Sequence, residues 1–234
     1  MRRARFYLST LCLLLSVLVI TYSSASYFSF FSIKEIEITG TKRVSPKEIL
    51  KRSGLIAGKT NILFLDSKVI KEIANNNWIK SVRIRRELPQ KVIIEVEEAE
   101  PFCIFVAEDS SLYYMTESGK KIGAANFDEG LDFPVLIGDG IWKPDLLGDA
   151  LTILKLSQKS SALNWVEISE VNLDSIYGIT IFTNDGRRVD FGMNNIERKW
   201  SKVERIIKHV RSMNLAEEYI NITSEKNGIV SFKI

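Results

Sequence analysis

Cysteine and histidine are nearly absent from this sequence. Its 234 residues hold two cysteines, Cys12 and Cys103, and one histidine, His209. Cys12 lies in an apolar run and Cys103 in the body of the chain, so no disulfide framework is expected. No Cys/His spacing suits zinc, and neither a metal nor another cofactor is expected. A histidine base needs a nucleophile and an orienting group nearby. His209 stands off the apolar stripe Val203–Ile207–Val210 and reads as a solvated helix position. Cys103 follows Pro101-Phe102 in a strand and reads as a small buried filler. A phosphate loop is missing too. Ala57-Gly58-Lys59-Thr60 has its earlier glycine, Gly54, one residue too close, and no clear apolar strand precedes it. A basic excess is also lacking. The net charge of +3 is carried by Arg2, Arg3 and Arg5, and the rest of the chain balances. That argues against sequence-independent nucleic-acid binding. There is no internal repeat and no low-complexity tract.

One long uncharged run is present. After the basic tip, Phe6 to Phe31 carries no charge, and Leu8 to Ile20 is rich in Leu, Val and Ile. A bilayer core takes about 20 mostly apolar residues as helix. The arginines place the N-terminal side in the cytoplasm, and the cluster Tyr22, Tyr27, Phe28, Phe30 and Phe31 suits the far interface. A basic tip, an apolar core and Ser23-Ser24-Ala25 also describe a cleavable signal peptide. The uncharged run continues past Ala25, which favours an anchor.

The stretch Trp78 to Pro101 organises the chain beyond that run. Val82 and Ile84 alternate with Arg83 and Arg85, and Val92, Ile94 and Val96 with Lys91, Glu95 and Glu97. Period-two alternation fits a sheet with one buried face. A hairpin folded about Pro89 sets Val82 against Val96, Ile84 against Ile94 and Arg83 against Glu95, with Ile93 left on the charged face. Arg83, Arg85 and Arg86 then read as cross-strand partners of the acidic residues rather than as a patch for an anionic polymer. Glu95, Glu97, Glu98 and Glu100 read as a solvated strand face, with no case for acid/base chemistry. Upstream, Ser32 to Thr39 is a strand. Ser45-Pro46-Lys47-Glu48 opens a helix with a capping box, and Gly54 ends it. Asp66 caps a second helix that stops at Asn75-Asn76-Asn77. The order is β-α-α-β-β.

That order, directly after an apolar helix, resembles a POTRA domain. More narrowly, Arg85-Arg86-x-Leu88-Pro89-x-x-Val92-x-Ile94-x-Val96-x-Glu98-x-x-Pro101 resembles the signature of the cell-division family FtsQ/DivIB. Phe31-x-Ile33-x-x-Ile36-x-Ile38-x-Gly40 and Trp78-Ile79 are similar to it as well. The tip before the helix is shorter than the family's usual cytoplasmic tail.

Beyond Pro101 the strands are short. Phe102 to Val106 and Leu112 to Met115 are strands, and Asp132 to Gly138 leads into a loop. Asp145 to Ser161 is a helix striped by Leu147, Leu151 and Leu154. Ile168 to Leu173 is a strand, and Asn184-Asp185-Gly186 turns a hairpin between Ile179–Thr183 and Arg187–Phe191. Asn194 to Met213 is a helix with Ile196, Trp200, Val203, Ile207 and Val210 at helical spacing. Tyr219 to Thr223 and Gly228 to Ile234 are strands, and Val230, Phe232 and Ile234 alternate in the last. If that strand leaves an open edge, a partner strand can add to it; it can equally be internal or covered.

The expected class is α+β: an N-terminal transmembrane helix, a β-α-α-β-β POTRA-like domain, then a mainly antiparallel α+β domain. The divisions are 1–5 cytoplasmic tip, 6–30 membrane helix, 31–100 POTRA-like domain and 101–234 β domain. The resemblance implies a non-enzymatic, single-pass inner-membrane scaffold of the divisome that helps control septal peptidoglycan synthesis. It implies partners like FtsB/DivIC and FtsL. The implied contact lies near the last strands, at Thr223, Gly228, Ile229, Val230, Ser231 and Phe232. The alternative is a secreted or anchored POTRA-type chaperone or transport module; a wall hydrolase ranks behind both.

Overall fold

The computed structural model describes residues 2–27, 29–126, 132–224 and 226–232. Helix α1 (Arg2–Tyr27) is continuous over 26 residues. Leu11, Leu13, Leu14, Leu15, Val17, Leu18, Val19 and Ile20 are each more than half exposed. Neighbours that close in sequence point all round a helix, so between Leu11 and Ile20 this one presents apolar side chains on every side. Its described side chains, residues 11–24, span roughly 21 Å at the helical rise per residue. Among the described residues no helix is long and apolar enough to cross a membrane.

The chain separates into two compact units, Met1–Ala99 and Glu100–Ile234. In the first, α1 is followed by β1 (Glu35–Thr39), α2 (Pro46–Ser53), α3 (Ser67–Ala74), β2 (Ile79–Glu87) and β3 (Lys91–Glu98). Strand β3 is central, antiparallel to β2 and parallel to β1. The hairpin has the register its alternation demands: Val82 faces Val96, Ile84 faces Ile94, and Arg83 faces Glu95. Val92, Ile94 and Val96 join Ile33, Ile49, Ile62, Ile73 and Ile79 in one core beneath the two helices. Each such side chain contributes roughly 1.5–3 kcal/mol when fully buried. Ile93 is buried despite its place on the charged face, where register sets it between Glu37 and Arg85.

Ser45 caps α2 by accepting the Lys47 N–H, and Gly54 ends it in the left-handed region at φ 65°. The expected capping box does not close. The Glu48 carboxylate reaches outward, accepting from Arg52 Nε at 2.9 Å and Asn76 Nδ2 at 3.0 Å. An (i, i+4) arginine and a neighbouring helix end offer it better donors than its own cap. Asp66 caps α3 through the Lys68 N–H. Gly40, at φ 83°, has no room for a side chain, because a Cβ there would stand 1.9 Å from the Val96 carbonyl oxygen.

The second unit is a nine-stranded sheet with two helices. Its strands are β4 (Cys103–Val106), β5 (Leu112–Met115), β6 (Lys121–Ala124), β7 (Val135–Ile137), β8 (Ile168–Asp174), β9 (Gly178–Thr183), β10 (Arg188–Gly192), β11 (Glu217–Asn221) and β12 (Ile229–Phe232), with α4 (Pro144–Gln158) and α5 (Ile196–Ser212) between them. The spatial order is β12-β11-β10-β9-β8-β7-β4-β5-β6. Val135–Ile137 is not loop: it pairs in parallel with β4 on one side and β8 on the other. Three residues are too few to show a period, and the strand forms because both neighbours need its backbone groups. Strands β10 and β11 are parallel too, joined by α5 as a parallel pair requires. The stripe Ile196, Trp200, Val203, Ile207 and Val210 is buried on the sheet, with Trp200 stacked on Phe191 at 6.1 Å. Strand alternation sends Ile220 and Ile222 to the same core.

Candidate functional site

Strand β12 ends the sheet. It pairs antiparallel with β11, and among the described residues no strand pairs with its other side. Val230 lies opposite Ile220 and packs against the core. Ile229, opposite Asn221, is 65% exposed, and Phe232, opposite Glu217, is 39% exposed. Ser231 is exposed opposite Tyr219, and Gly228 is exposed just before the strand. Thr223 is exposed just past β11. The expected contact residues therefore gather on one edge and the turn leading to it. Ile234, the third member of the expected alternation, lies outside the described residues.

Behind that edge runs a polar ladder that sequence reasoning missed. Asp190 of β10 accepts from Thr180 Oγ1 at 2.8 Å, Arg188 Nε at 2.9 Å and Tyr219 Oη at 2.7 Å. Tyr219 Oη accepts from Asn221 Nδ2 at 2.8 Å, and Asn221 Oδ1 accepts the Thr223 hydroxyl at 2.8 Å and its N–H at 3.1 Å. One chain of hydrogen bonds thus links β9, β10, β11 and the turn before β12. Burial opposes the charge on Asp190, but its bonds from Arg188, Tyr219 and Thr180 outweigh that and hold its pKa below the usual range. The same bond to Asp190 raises the Tyr219 phenol. Period-two alternation does put Arg188 with Asp190 and Tyr219 with Asn221. What it cannot supply is the pairing of β10 with β11 across the whole of α5.

Two charged clefts bracket the edge. Near the Phe232 end, a cleft of about 600 Å³ is lined by Glu167, Asp185, Arg187, Arg211 and Glu217 among others. Arg187 meets Asp185 at 3.0 Å and Glu217 at 2.9 Å, and it also bonds Glu167. Burial disfavours the guanidinium charge, yet the three carboxylates outweigh it and raise the Arg187 pKa. Near the other end, a cleft of about 200 Å³ is lined by Asn195, Arg198, Lys199, Lys202, Arg205 and Lys226. There Lys199 Nζ donates to the Phe191 and Met193 carbonyls at 2.8 and 2.6 Å, tying the end of β10 to α5.

The other candidates take plain structural places. The Gly58 N–H donates to the Ile33 carbonyl at 2.7 Å, which commits it to the fold rather than to a phosphate. Cys103 is buried, and burial pushes its thiol up to about 12. His209 is exposed in the last turn of α5. Glu95 lies 3.6 Å from Arg85, and Glu97 bonds Lys80 at 2.6 Å. Glu98 departs from the expected solvated face. Its carboxylate accepts the backbone N–H groups of Lys42, Arg43 and Val44 at 2.8, 3.0 and 2.9 Å, clamping the loop after β1.

Comparison with known proteins is consistent along most of the chain. Residues 31–99 match the family model "POTRA domain, FtsQ-type", and residues 104–223 match "Cell division protein FtsQ/DivIB, C-terminal". The edge strand itself lies past the end of the second match. The chain is 29% identical over 213 residues to the cell division protein FtsQ of Syntrophotalea carbinolica, covering 86% of this chain and 74% of that one. It is 26% identical over 211 residues to FtsQ of Geotalea daltonii, covering 86% and 76%. It is 25% identical over 217 residues to the cell division protein DivIB of Clostridium tetani, covering 87% and 80%.

Proposed function

The chain belongs to the FtsQ/DivIB family of cell-division proteins, and on that premise we propose that it is a single-pass, non-enzymatic scaffold that docks other division proteins. In this reading residues 1–5 stay in the cytoplasm and residues 6–30 cross the inner membrane. Residues 31–100 and 101–234 stand outside as the POTRA and β domains. The unbroken helix Arg2–Tyr27 supports the anchor, as does the exposed apolar stretch Leu11–Ile20 within it. Three of its described hydroxyls also bond within the helix: Ser16 to the Leu13 carbonyl at 2.8 Å, Thr21 to that of Val17 at 2.9 Å, and Ser24 to that of Ile20 at 2.8 Å. Such bonding removes much of the penalty of placing a hydroxyl in lipid.

The docking surface is the edge at Gly228, Ile229, Val230, Ser231 and Phe232, with Thr223 beside it. The position of β12 at the end of the sheet carries this reading. An unpaired strand edge invites another strand, whose main-chain bonds give affinity while side chains give selectivity. The polar ladder behind the edge holds the template in one shape, which lowers the ordering cost of binding. Partners like FtsB/DivIC and FtsL fill the role, and the assembly regulates septal peptidoglycan synthesis.

The test is a pull-down from membranes with the full chain as bait, beside a chain truncated before Gly228. Recovery of FtsB-like and FtsL-like proteins by the full chain alone, with the truncated form still folded, supports the scaffold and the edge. Recovery by both moves the contact elsewhere. Recovery by neither overturns the partner assignment.

A further inference from the structure

Where α1 leads into the rest of the first unit, several large apolar side chains stand outside the core. Phe30 is 59% exposed, Ile56 53%, Leu63 37%, Phe64 43% and Leu88 62%. Single exposed apolar residues are ordinary. These, however, come from separate segments that backbone bonds draw to one end. Ile33 N–H donates to the Thr60 carbonyl at 2.9 Å, and Gly58 N–H to that of Ile33 at 2.7 Å, which ties the loop bearing Ile56 to the segment between α1 and β1. Gln90 Nε2 donates to the Phe30 carbonyl at 3.0 Å, and Lys34 N–H to that of Gln90 at 2.7 Å, which brings in the turn at Leu88. Ser32 forms a bridge with Asn61, next to the short turn Ile62–Phe64.

That turn reaches back along α1. The Phe64 ring meets Tyr22 edge-on at 5.5 Å. Tyr22 lies about 7 Å before the end of α1 at the helical rise per residue. Phe64 therefore stands beside the helix, not beyond its end. The opposite end of the same sheet is polar: there Lys80 bonds Glu97, and Glu98 holds the backbone of residues 42–44.

We propose that this end of the first unit rests on the bilayer, with Ile56, Leu63, Phe64 and Leu88 set into the lipid interface around the emerging helix. The inference rests on reading α1 as the membrane anchor. Apolar residues at such a collar lose water only when lipid covers them, and the exposed Lys34 and Lys59 on the same segments suit headgroup phosphates. The collar fixes the direction in which the unit points, which a helix joined by a free tether would not do.

The experiment uses the full chain in vesicles of phosphatidylethanolamine and phosphatidylglycerol. A Cys12→Ser background leaves buried Cys103 as the one native thiol. Single cysteines at Ile20, Leu63, Leu88 or Lys80 carry an environment-sensitive fluorophore, and nitroxide lipids serve as quenchers. The expected result is a blue shift and loss of emission at Leu63 and Leu88, deeper quenching at Ile20, and neither at Lys80. If Ile20 is quenched while Leu63 and Leu88 are not, the collar is refuted and the anchor stands. If Ile20 itself is not quenched, the anchor reading fails and the collar with it. Quenching at Lys80 as strong as at Leu63 also overturns the proposal, because the unit would then lie flat.

Discussion

Arg187 shows how much one side chain can hold together. It serves three carboxylates from three separate segments, and the side chain of Glu217 is only 5% exposed. Removing one member of a buried ion cluster leaves the rest uncompensated, at a cost of about 3–5 kcal/mol. Arg187→Ala should therefore lower the urea midpoint of the second unit strongly. Arg187→Lys should recover part of the loss, since a point charge cannot reach three acceptors at once. Glu98 gives a pH signature. Burial works against its charge, but the N–H groups of Arg43, Val44 and Lys42 together hold its pKa below the ordinary 4.5. A carboxylate with a depressed folded pKa contributes stability that is complete above its unfolded value. That stability is lost as pH falls through the folded one. Acid titration of the melting temperature should show this loss below about pH 4.5, and Glu98→Gln should be less stable at neutral pH and flatter in that window. Glu98 stands in the signature stretch, yet alternation alone would make it one more solvated acid. Its backbone partners lie on a loop more than fifty residues earlier.

Elements were legible where their pattern is local. The β2–β3 register follows from alternation on each side of one turn, and α5 from its apolar stripe. Strand β7 was not, because its three residues are fixed by neighbours on both sides. Nor was the order of the second sheet, in which parallel partners are separated by helices. That order is what puts β12 at an edge, so the openness of the candidate site could not be read from alternation. Along one strand, successive N–H groups point alternately toward and away from the paired neighbour. Proline at Val230 and at Ser231 should therefore act differently. The variant whose N–H faces β11 should lose stability, and the other should keep its melting temperature while losing partner capture in the pull-down. If both keep their fold and their partners, strand addition at β12 is excluded.

For the whole chain, membership in a cell-division family and a single continuous N-terminal helix lead to one simple expectation. Protein extracted from membranes should retain the segment through Ala25, giving a mass near 26.6 kDa. A mature N-terminus at Ser26 would instead mark a released module. In the proposed scaffold, a chain held by an anchor at one end and by partners at the other would also carry load. Tension drawn from α1 enters the first unit at the start of β1 and leaves at the end of β3. Those two strands run parallel, from Glu35 beside Lys91 to Thr39 beside Glu95. Opposed pulls on a parallel pair load every rung of the ladder at once, in shear, instead of peeling the rungs one by one. The grip of Glu98 on residues 42–44 closes the same seam from its far end. In the proposed scaffold, a pull between the start of β1 and the end of β3 would therefore meet the whole β1–β3 ladder together with the Glu98 bonds.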